Sequence, residues 1–315
     1  MHSIGELNPQ IVGIGRCTLD IIFRLPDYPT WEKGVVYDEY SIDGGGQVST
    51  GLVAASKLGV STGYIGTAGS DYAGTLKVES LREWGVDTSH IIRRMGPDGQ
   101  VVLVTVQSGT GERVFNHSDR LDAEPVTTDE LDYDYITKAD YLLLDGSHPE
   151  AALEAAKWMS EVGKQVMLDG SKTDESIKES TRRLIPFVDV LVCGAGFGEK
   201  LAGVGDVFEA GERVLDMGPS VFVETLGERG SITVTKEERF ETPSFDITVK
   251  DTTGAGDVFH GAYLYGLING WSPKRIALFS TAVSALKCTR MGGRRSAPDL
   301  GEVLEFLQNH GVAAF

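Results

Sequence analysis

The most informative stretch of this sequence is Asp251-Thr252-Thr253-Gly254-Ala255-Gly256-Asp257. It lies between a strand-like run at residues 245–249 and a helical run at residues 258–267. Glycines at the start of a helix let a ligand approach the backbone, and the first helical amides have no intrahelical acceptors. Such a helix start favours anions. We therefore predict a phosphate-binding turn.

Asp257 adds a base to this turn, because it falls in the first turn of the predicted helix. A carboxylate there is expected to stay ionised and to accept a proton from an alcohol while Gly254, Ala255 and Gly256 hold a phosphoryl group. An ordinary strand–turn–helix connection with an acidic first turn has the same local pattern. These seven residues alone leave a phosphotransfer site and a plain helix start both open.

The composition of the 315-residue chain favours a soluble enzyme. Its hydrophobic content of 41% is enough for a large core in one or two α/β units. The net charge of -17 argues against nucleic acids and anionic membranes as partners. Three scattered cysteines without a CxxC motif fit reduced thiols. The first ten residues lack the blocks of a signal peptide and no apolar run could cross a bilayer, so cytoplasmic residence is expected.

Apolar strand-like runs alternate with helical stretches along the chain, a pattern typical of a mostly parallel sheet with helices on both faces. The predicted strands cover residues 11–14, 64–65, 141–144, 165–168, 188–192 and 221–224. Two segments, about 21–42 and 100–117, have no helical period, and residues 107–113 have the composition of a hairpin turn. We expect these two segments to form a small β-sheet beside the main body.

Five motifs occur in the order found in one known family. They are GIGRCTLD at residues 13–20, GGGQVSTG at 44–51, TLGERG at 225–230, DTTGAGDVFHGA at 251–262 and KCTRMGGR at 287–294. Together they span nearly the whole chain and resemble the ribokinase-like (PfkB) carbohydrate kinases. The last motif is most similar to the ketohexokinase and sulfofructose kinase branch.

The resemblance implies a single ribokinase-like α/β kinase domain over residues 1–315, with segments 21–42 and 100–117 as a lid over the sugar. It further implies an ATP- and Mg2+-dependent carbohydrate kinase that transfers the γ-phosphate to a hydroxyl of a ketose or related sugar. Family lids often pair, and unpaired lid strands would be sticky edges, so a homodimer through the lid is expected. Neither a nucleic acid nor a membrane is an expected partner.

The resemblance also assigns roles to individual residues. Catalysis is assigned to Asp257 as the general base, with Gly254, Ala255 and Gly256 stabilising the transferred group. The expected sugar-binding positions are Asp20, Gly45, Gly46, Thr50, Arg113 and Asn116. The expected nucleotide-binding positions are Thr225, Gly227, Gly230, Gly254 and Gly256. A monovalent-cation site, with K+ as the ion, is expected at Asp251, Thr253 and Ser296.

Departures from the family pattern leave alternatives open. Thr50 replaces the Asn of most members, and CGAGFGE at residues 193–199 replaces the N-x-x-E motif that organises magnesium. Ser147 stands where the sulfofructose kinase branch has an Arg, so a neutral ketose and an anionic sugar both remain candidate substrates. The alternative functions are a catalytically quiet sugar- or nucleotide-binding relative and a nucleoside kinase. The complete GAGD turn favours an active kinase.

Overall fold

The computed structural model describes residues 8–171 and 176–312. Its strands are β1 (Ile11–Ile14), β2 (Thr18–Leu25), β3 (Glu39–Gly45), β4 (Thr62–Gly69), β5 (Ile91–Arg94), β6 (Val101–Gln107), β7 (Arg113–His117), β8 (Tyr141–Leu144), β9 (Gln165–Gly170), β10 (Val190–Gly194), β11 (Val221–Thr225), β12 (Ser231–Thr235) and β13 (Arg239–Thr242). Its α-helices are α1 (Gln47–Lys57), α2 (Tyr72–Arg82), α3 (Tyr133–Thr137), α4 (Pro149–Glu161), α5 (Glu179–Leu184), α6 (Phe197–Ala202), α7 (Val207–Leu215), α8 (Ala255–Ile268), α9 (Pro273–Cys288) and α10 (Leu300–Asn309).

A nine-stranded sheet in the order β13-β12-β11-β10-β9-β8-β1-β4-β5 forms the body of the protein. The strands from β11 to β5 in this order pair in parallel, and β12 and β13 extend the edge in antiparallel fashion. The carboxyl ends of the parallel strands therefore meet at one edge, where open α/β sheets bind their ligands. This arrangement confirms the expected mostly parallel α/β fold.

Helices cover both faces of this sheet, because successive strand residues point to opposite sides. In β10, Leu191 packs into one buried cluster with α4 and α7, whereas Val192 packs into another with α1 and α8. Both residues are fully buried. Two separate cores thus hold the sheet between them, which is the layer arrangement predicted from the sequence.

A second sheet, in the order β3-β2-β6-β7, forms the lid. Its strands begin and end a few residues away from the predicted boundaries of 21–42 and 100–117, since β2 begins at Thr18 and β3 continues to Gly45. The inner face carries Asp20, Ile22 and Val104, and the outer face carries Ile21 and Leu103. Because β2 contains Asp20 and β3 ends in the diglycine Gly44-Gly45, part of the predicted sugar-binding wall belongs to the lid itself.

Helices α1 and α8 cross at two glycines, and this crossing brings two distant parts of the chain together. A Cβ atom on Gly261 would lie less than 3.0 Å from the carbonyl oxygen of Gly51, and a Cβ on Gly51 would approach the carbonyl of Asp257. Only glycine permits so close an approach of two backbones. The start of α1 after the lid strand β3 is therefore held beside the start of α8.

One predicted strand is absent: residues 245–249 have no strand in the described structure, and β13 ends earlier, at Thr242. Phe245 packs edge-on against Phe306 of α10 at 5.2 Å instead, so tertiary packing decides the path of this segment. No helix within residues 8–171 and 176–312 is both long and apolar enough to cross a bilayer. The expectation of no signal peptide rests partly on residues 1–7, which lie outside the described residues.

Candidate functional site

A cleft of about 520 Å3 lies between the inner face of the lid and the carboxyl ends of the parallel strands. Residues from both halves of the chain line it, as expected for a ligand site at this edge of an α/β sheet. The predicted site residues that line it are Asp20, Gly45, Gly46, Thr50, Arg113, Thr225, Thr253, Gly254, Gly256 and Asp257. Separate sequence motifs thus meet in one cleft.

The anion turn, residues 251–257, ends at the start of α8, as the sequence predicts. Gly254 has φ 76°, a left-handed conformation that favours glycine, and the helix has no side-chain cap at its N-terminus. The amide of Ala255 donates to the carbonyl of Thr252 at 3.2 Å, so this amide is engaged within the turn. The amides of Gly256 and Asp257 follow in the uncapped first turn, where an anion is favoured.

Asp257 is half-buried and faces the cleft from the first turn of α8. Burial raises the pKa of Asp257 to about 7, with the neighbouring carboxylate of Asp169 raising it further and His260 and Arg113 opposing the rise. The expectation of a fully ionised carboxylate near neutral pH is therefore wrong, because desolvation outweighs the helix end. A pKa near the working pH is what a general base requires.

Asp20 lies on the lid opposite the anion turn and is buried. Its Oδ1 accepts a hydrogen bond from the hydroxyl of Thr18 at 2.6 Å. Burial raises the pKa of Asp20 to about 6, while the hydrogen bond from Thr18 and the charge of Arg294 lower it. Above that pH the carboxylate is ionised, which is the form that can accept hydrogen bonds from hydroxyl groups of a ligand.

Thr50, at the start of α1, contributes a hydroxyl that has no hydrogen-bond partner within the part of the chain described. This residue is completely buried and lines the cleft. A buried hydroxyl without a partner is costly, and a polar ligand in the cleft would remove that cost. The observation agrees with the expected role of Thr50 in ligand binding.

Arg113 connects the lid to the anion turn. It begins β7, and its Nη1 donates to the hydroxyl of Thr252 at 2.6 Å. Its charge lowers the pKa of Asp257, so the guanidinium lies within electrostatic reach of that carboxyl group. The lid therefore brings a permanent positive charge to the place where a phosphoryl group would lie.

Asp169 and His260 also line the cleft, and no motif singled out Asp169. Asp169 is buried at the end of β9, and burial raises its pKa well above the usual range. The Nε2 of His260 lies 3.5 Å from Asp169 Oδ1, and its Nδ1 lies 2.6 Å from the carbonyl of Gly256. A carboxylate that ends a parallel strand at the ligand-binding edge is the signal that identifies Asp169.

The three residues expected at a monovalent-cation site lie close together: Asp251 and Thr253 belong to the anion turn, and Ser296 lies in the segment after α9. The carboxylate of Asp251 accepts hydrogen bonds from the backbone amides of Thr253 and Gly292, each at 2.8 Å. The hydroxyl of Ser296 donates to the carbonyl of Gly292. The hydroxyl of Thr253 is buried without a partner among the described residues. The buried ammonium of Lys287 donates to the carbonyl of Asp251 at 2.8 Å, a contact that the sequence did not indicate.

Besides Asp251 and Ser296 of the expected cation site, four assigned residues do not line the cleft. Asn116 lies on the outer face of the lid, next to the hydroxyl of Tyr28, because strand alternation turns its neighbours Phe115 and His117 inward. Gly227 and Gly230 form the turn between β11 and β12, and Ala255 is engaged in the anion turn. Asn116 therefore does not line this cleft, and its contact with a sugar stays a prediction.

Comparison with known proteins agrees with this architecture. The pfkB family carbohydrate kinase model matches residues 8–300. The aminoimidazole riboside kinase of Salmonella typhimurium is 29% identical over 86% of this chain and 89% of its own length, and the ribokinase of Haemophilus influenzae is 25% identical over 94% and 97%. The crystal structure of Thermotoga maritima ribokinase has a TM-score of 0.82, with 27% identity over 96% of this chain and 100% of that chain.

Proposed function

We propose that this chain, which belongs to the pfkB family of carbohydrate kinases, transfers the γ-phosphate of ATP to a sugar hydroxyl. The proteins similar to it include an aminoimidazole riboside kinase and a ribokinase. One observation carries this proposal: Asp257, at the uncapped start of α8, faces the same cleft as Asp20 and Gly45 of the lid. A base, an anion turn and a sugar-binding wall therefore meet around one space.

Asp257 is the proposed general base. Its pKa of about 7 leaves a large ionised fraction near neutral pH, and the ionised form takes the proton of the attacking hydroxyl. Asp20 and the backbone of Gly45 orient that hydroxyl from the lid side. Since phosphoryl transfer depends mainly on positioning and electrostatic stabilisation, the placement of Asp20, Gly45 and Asp257 around one cleft supports this role.

The phosphate groups are proposed to lie on the amides at the start of α8, next to Gly254 and Gly256. The positive helix end and the guanidinium of Arg113 then stabilise charge on the transferred phosphoryl group. The hydrogen bond from Arg113 to the hydroxyl of Thr252 holds this end of the lid against the turn. The acidic chain as a whole repels phosphate, so these local groups carry the recognition.

Mg2+ fits this cleft through a small number of protein groups. No cluster of three or more metal-ligating side chains occurs in residues 8–171 and 176–312. Mg2+ usually takes one or two carboxylates together with phosphate oxygens and water, and Asp169 is the buried carboxylate beside the anion turn that would serve. When bound, the ion would neutralise charge on the phosphates.

K+ is the proposed monovalent ion behind the anion turn. The unpartnered hydroxyl of Thr253, together with Asp251 and Ser296, offers oxygen atoms to a cation at this place. An ion there would stiffen the turn without contacting the sugar. Turnover that is the same in potassium and in tetramethylammonium buffers would remove this part of the proposal.

A ketose or related sugar is the proposed acceptor, and a nucleoside is the second candidate. The aromatic ring of Phe115 favours the second, because it lies in the cleft wall with 48% of its surface exposed and could stack on a base. The catalytically quiet alternative provides no reason for a carboxylate with a pKa of about 7 at the anion turn. We therefore favour an active kinase.

The test is a coupled assay of ADP release over a panel of ketoses, aldoses, sugar phosphates, sulfosugars and nucleosides. Turnover with one class of acceptor, dependent on ATP and Mg2+, is expected. Nucleoside turnover above that of every sugar would select the second candidate. Tight nucleotide binding without ADP release for any acceptor would overturn the kinase proposal.

A homodimer through the outer face of the lid is also proposed. This face exposes large apolar side chains on β3 and β6, the two strands that flank β2: Ile42 is 47% and Leu103 is 48% exposed. Contiguous exposed apolar groups mark protein–protein contacts. Leu103→Asp is expected to give a monomer by analytical ultracentrifugation, whereas a monomeric unmodified protein would exclude this assembly.

A further inference from the structure

Arg294, in the segment that joins α9 to α10, is fully buried, yet within residues 8–171 and 176–312 its guanidinium bonds only to uncharged acceptors. Its Nη2 donates to the carbonyl of Gly45 at 2.6 Å, to the hydroxyl of Ser49 at 2.7 Å and to the sulfur of Cys17 at 3.1 Å. Its Nη1 donates to the hydroxyl of Ser80 at 2.5 Å. Burying a charge costs free energy, so a buried guanidinium that bonds to neutral groups of several elements is expected to have a role that offsets this cost.

The guanidinium lies directly against the diglycine that ends β3. A Cβ atom on Gly44 would lie less than 3.0 Å from Nη1, Cζ and Nε of Arg294. A Cβ on Gly45 would lie less than 3.0 Å from the carboxylate of Asp20. The two glycines are therefore held between a cation on one side and the carboxylate of the sugar-binding wall on the other, with no room for a side chain.

We propose that Arg294 is the positioning residue of the sugar subsite: it holds the Gly45 backbone and, through that contact, the carboxylate of Asp20. This inference rests on the proposed kinase function. The flat guanidinium presents several donors in fixed directions, so it holds Gly45, Ser49 and Ser80 at once, which a lysine ammonium on a flexible chain does not.

The arrangement also explains why a residue near the C-terminal end of the domain affects a site built from the N-terminal third. Arg294 is separated from Gly45 by 249 positions in sequence, yet it donates to that carbonyl, which also accepts a hydrogen bond from the hydroxyl of Ser49. The nucleotide side of the cleft, at Thr225 and Gly254, has no hydrogen bond with Arg294 in the described structure. Loss of the guanidinium should therefore affect the sugar and spare the nucleotide.

The test compares Arg294→Gln and Arg294→Lys with Arg295→Gln, in which the neighbouring exposed arginine is changed. The measurements are the KM of the best acceptor from the panel, kcat, the dissociation constant of ATP by calorimetry and the melting temperature. We expect Arg294→Gln to raise the acceptor KM by about tenfold or more, with ATP binding unchanged. Arg294→Lys should recover part of this loss, and Arg295→Gln should resemble the unmodified protein.

An unchanged acceptor KM in folded Arg294→Gln would overturn the inference, and so would an equal loss of acceptor and ATP binding, which indicates a general structural role. If neither variant at Arg294 folds, Ser80→Ala is the deciding variant, because it removes one acceptor of the Arg294 guanidinium and lies outside the cleft. A raised acceptor KM is expected for Ser80→Ala. An unchanged acceptor KM would refute the inference. If the unmodified protein shows no turnover with any acceptor, the proposed kinase function is wrong, and this result is distinct from a failure of the Arg294 inference.

Discussion

Replacing Asp257 by Asn is the sharpest perturbation of the proposed mechanism, because the amide keeps the shape of the side chain but cannot take a proton. General-base catalysis contributes about 10²- to 10⁴-fold, equivalent to roughly 3–5 kcal/mol of barrier at 1.36 kcal/mol per decade. With a pKa of about 7, the carboxyl group of the unmodified protein is about nine-tenths ionised at pH 8. At that pH, kcat should fall by the full amount.

Nucleotide binding should survive the same change. Asp257 carries negative charge beside the amides of the anion turn, so its neutralisation leaves the affinity for ATP unchanged or slightly higher. The assay is coupled ADP release at pH 8 for kcat and calorimetry for ATP. Asp246→Asn is the matched control, because it removes the same charge from an exposed position outside the cleft.

Two results would refute the reasoning about Asp257. A kcat within about threefold of the unmodified value would show that another group takes the proton, since the loss predicted for a general base is at least thirtyfold larger. A loss of ATP affinity large enough to account for the lost turnover would show that Asp257 acts in nucleotide binding.

The other predictions concern pH, the sugar-binding wall and stability. Because the proposed base acts when ionised and burial raises the pKa of Asp257 to about 7, kcat/KM for the acceptor should rise with pH through about 7; a profile that is flat from pH 5.5 to 8.5 would contradict it. Gly45→Ala places a Cβ less than 3.0 Å from the carboxylate of Asp20, so the acceptor KM should rise about tenfold or more while ATP binding is retained; equal affinities in calorimetry would argue against this wall. Lys77→Met leaves Asp98 buried without its partner at 2.6 Å, and urea unfolding should show a loss of about 3–5 kcal/mol, whereas a loss below about 1 kcal/mol would mean that water or another group pairs with Asp98.

The anion turn shows how far local sequence information extends. Gly254 followed by helix-forming residues is sufficient to predict the uncapped start of α8, because the left-handed glycine and the free first-turn amides are local backbone properties. The alternation of strands and helices likewise predicted a mostly parallel sheet, since each strand must bury both faces. The resemblance to the family added the lid and the order of the motifs.

Local sequence patterns could not predict the pKa of Asp257 or the face of the lid sheet on which Asn116 lies. The pKa of Asp257 depends on burial and on Asp169, which is 88 positions away in sequence and adjacent only in the folded chain. Asn116 faces outward because the register of β7 against β6 turns Phe115 and His117 toward the cleft. A shift of one residue in that register would reverse the two faces, and the sequence of a short exposed strand specifies its register weakly.

By itself, the amino-acid sequence determined the fold class, the glycine turn at the start of α8 and the family, because these depend on periodicity, glycine placement and short motifs. Only the tertiary structure decided which residues share the cleft: it joined Arg294 to the diglycine, placed Asp169 beside His260 and moved Asn116 outside. The physical reason is that burial, desolvation and hydrogen bonds over long sequence separations arise from packing between elements, which no local pattern contains.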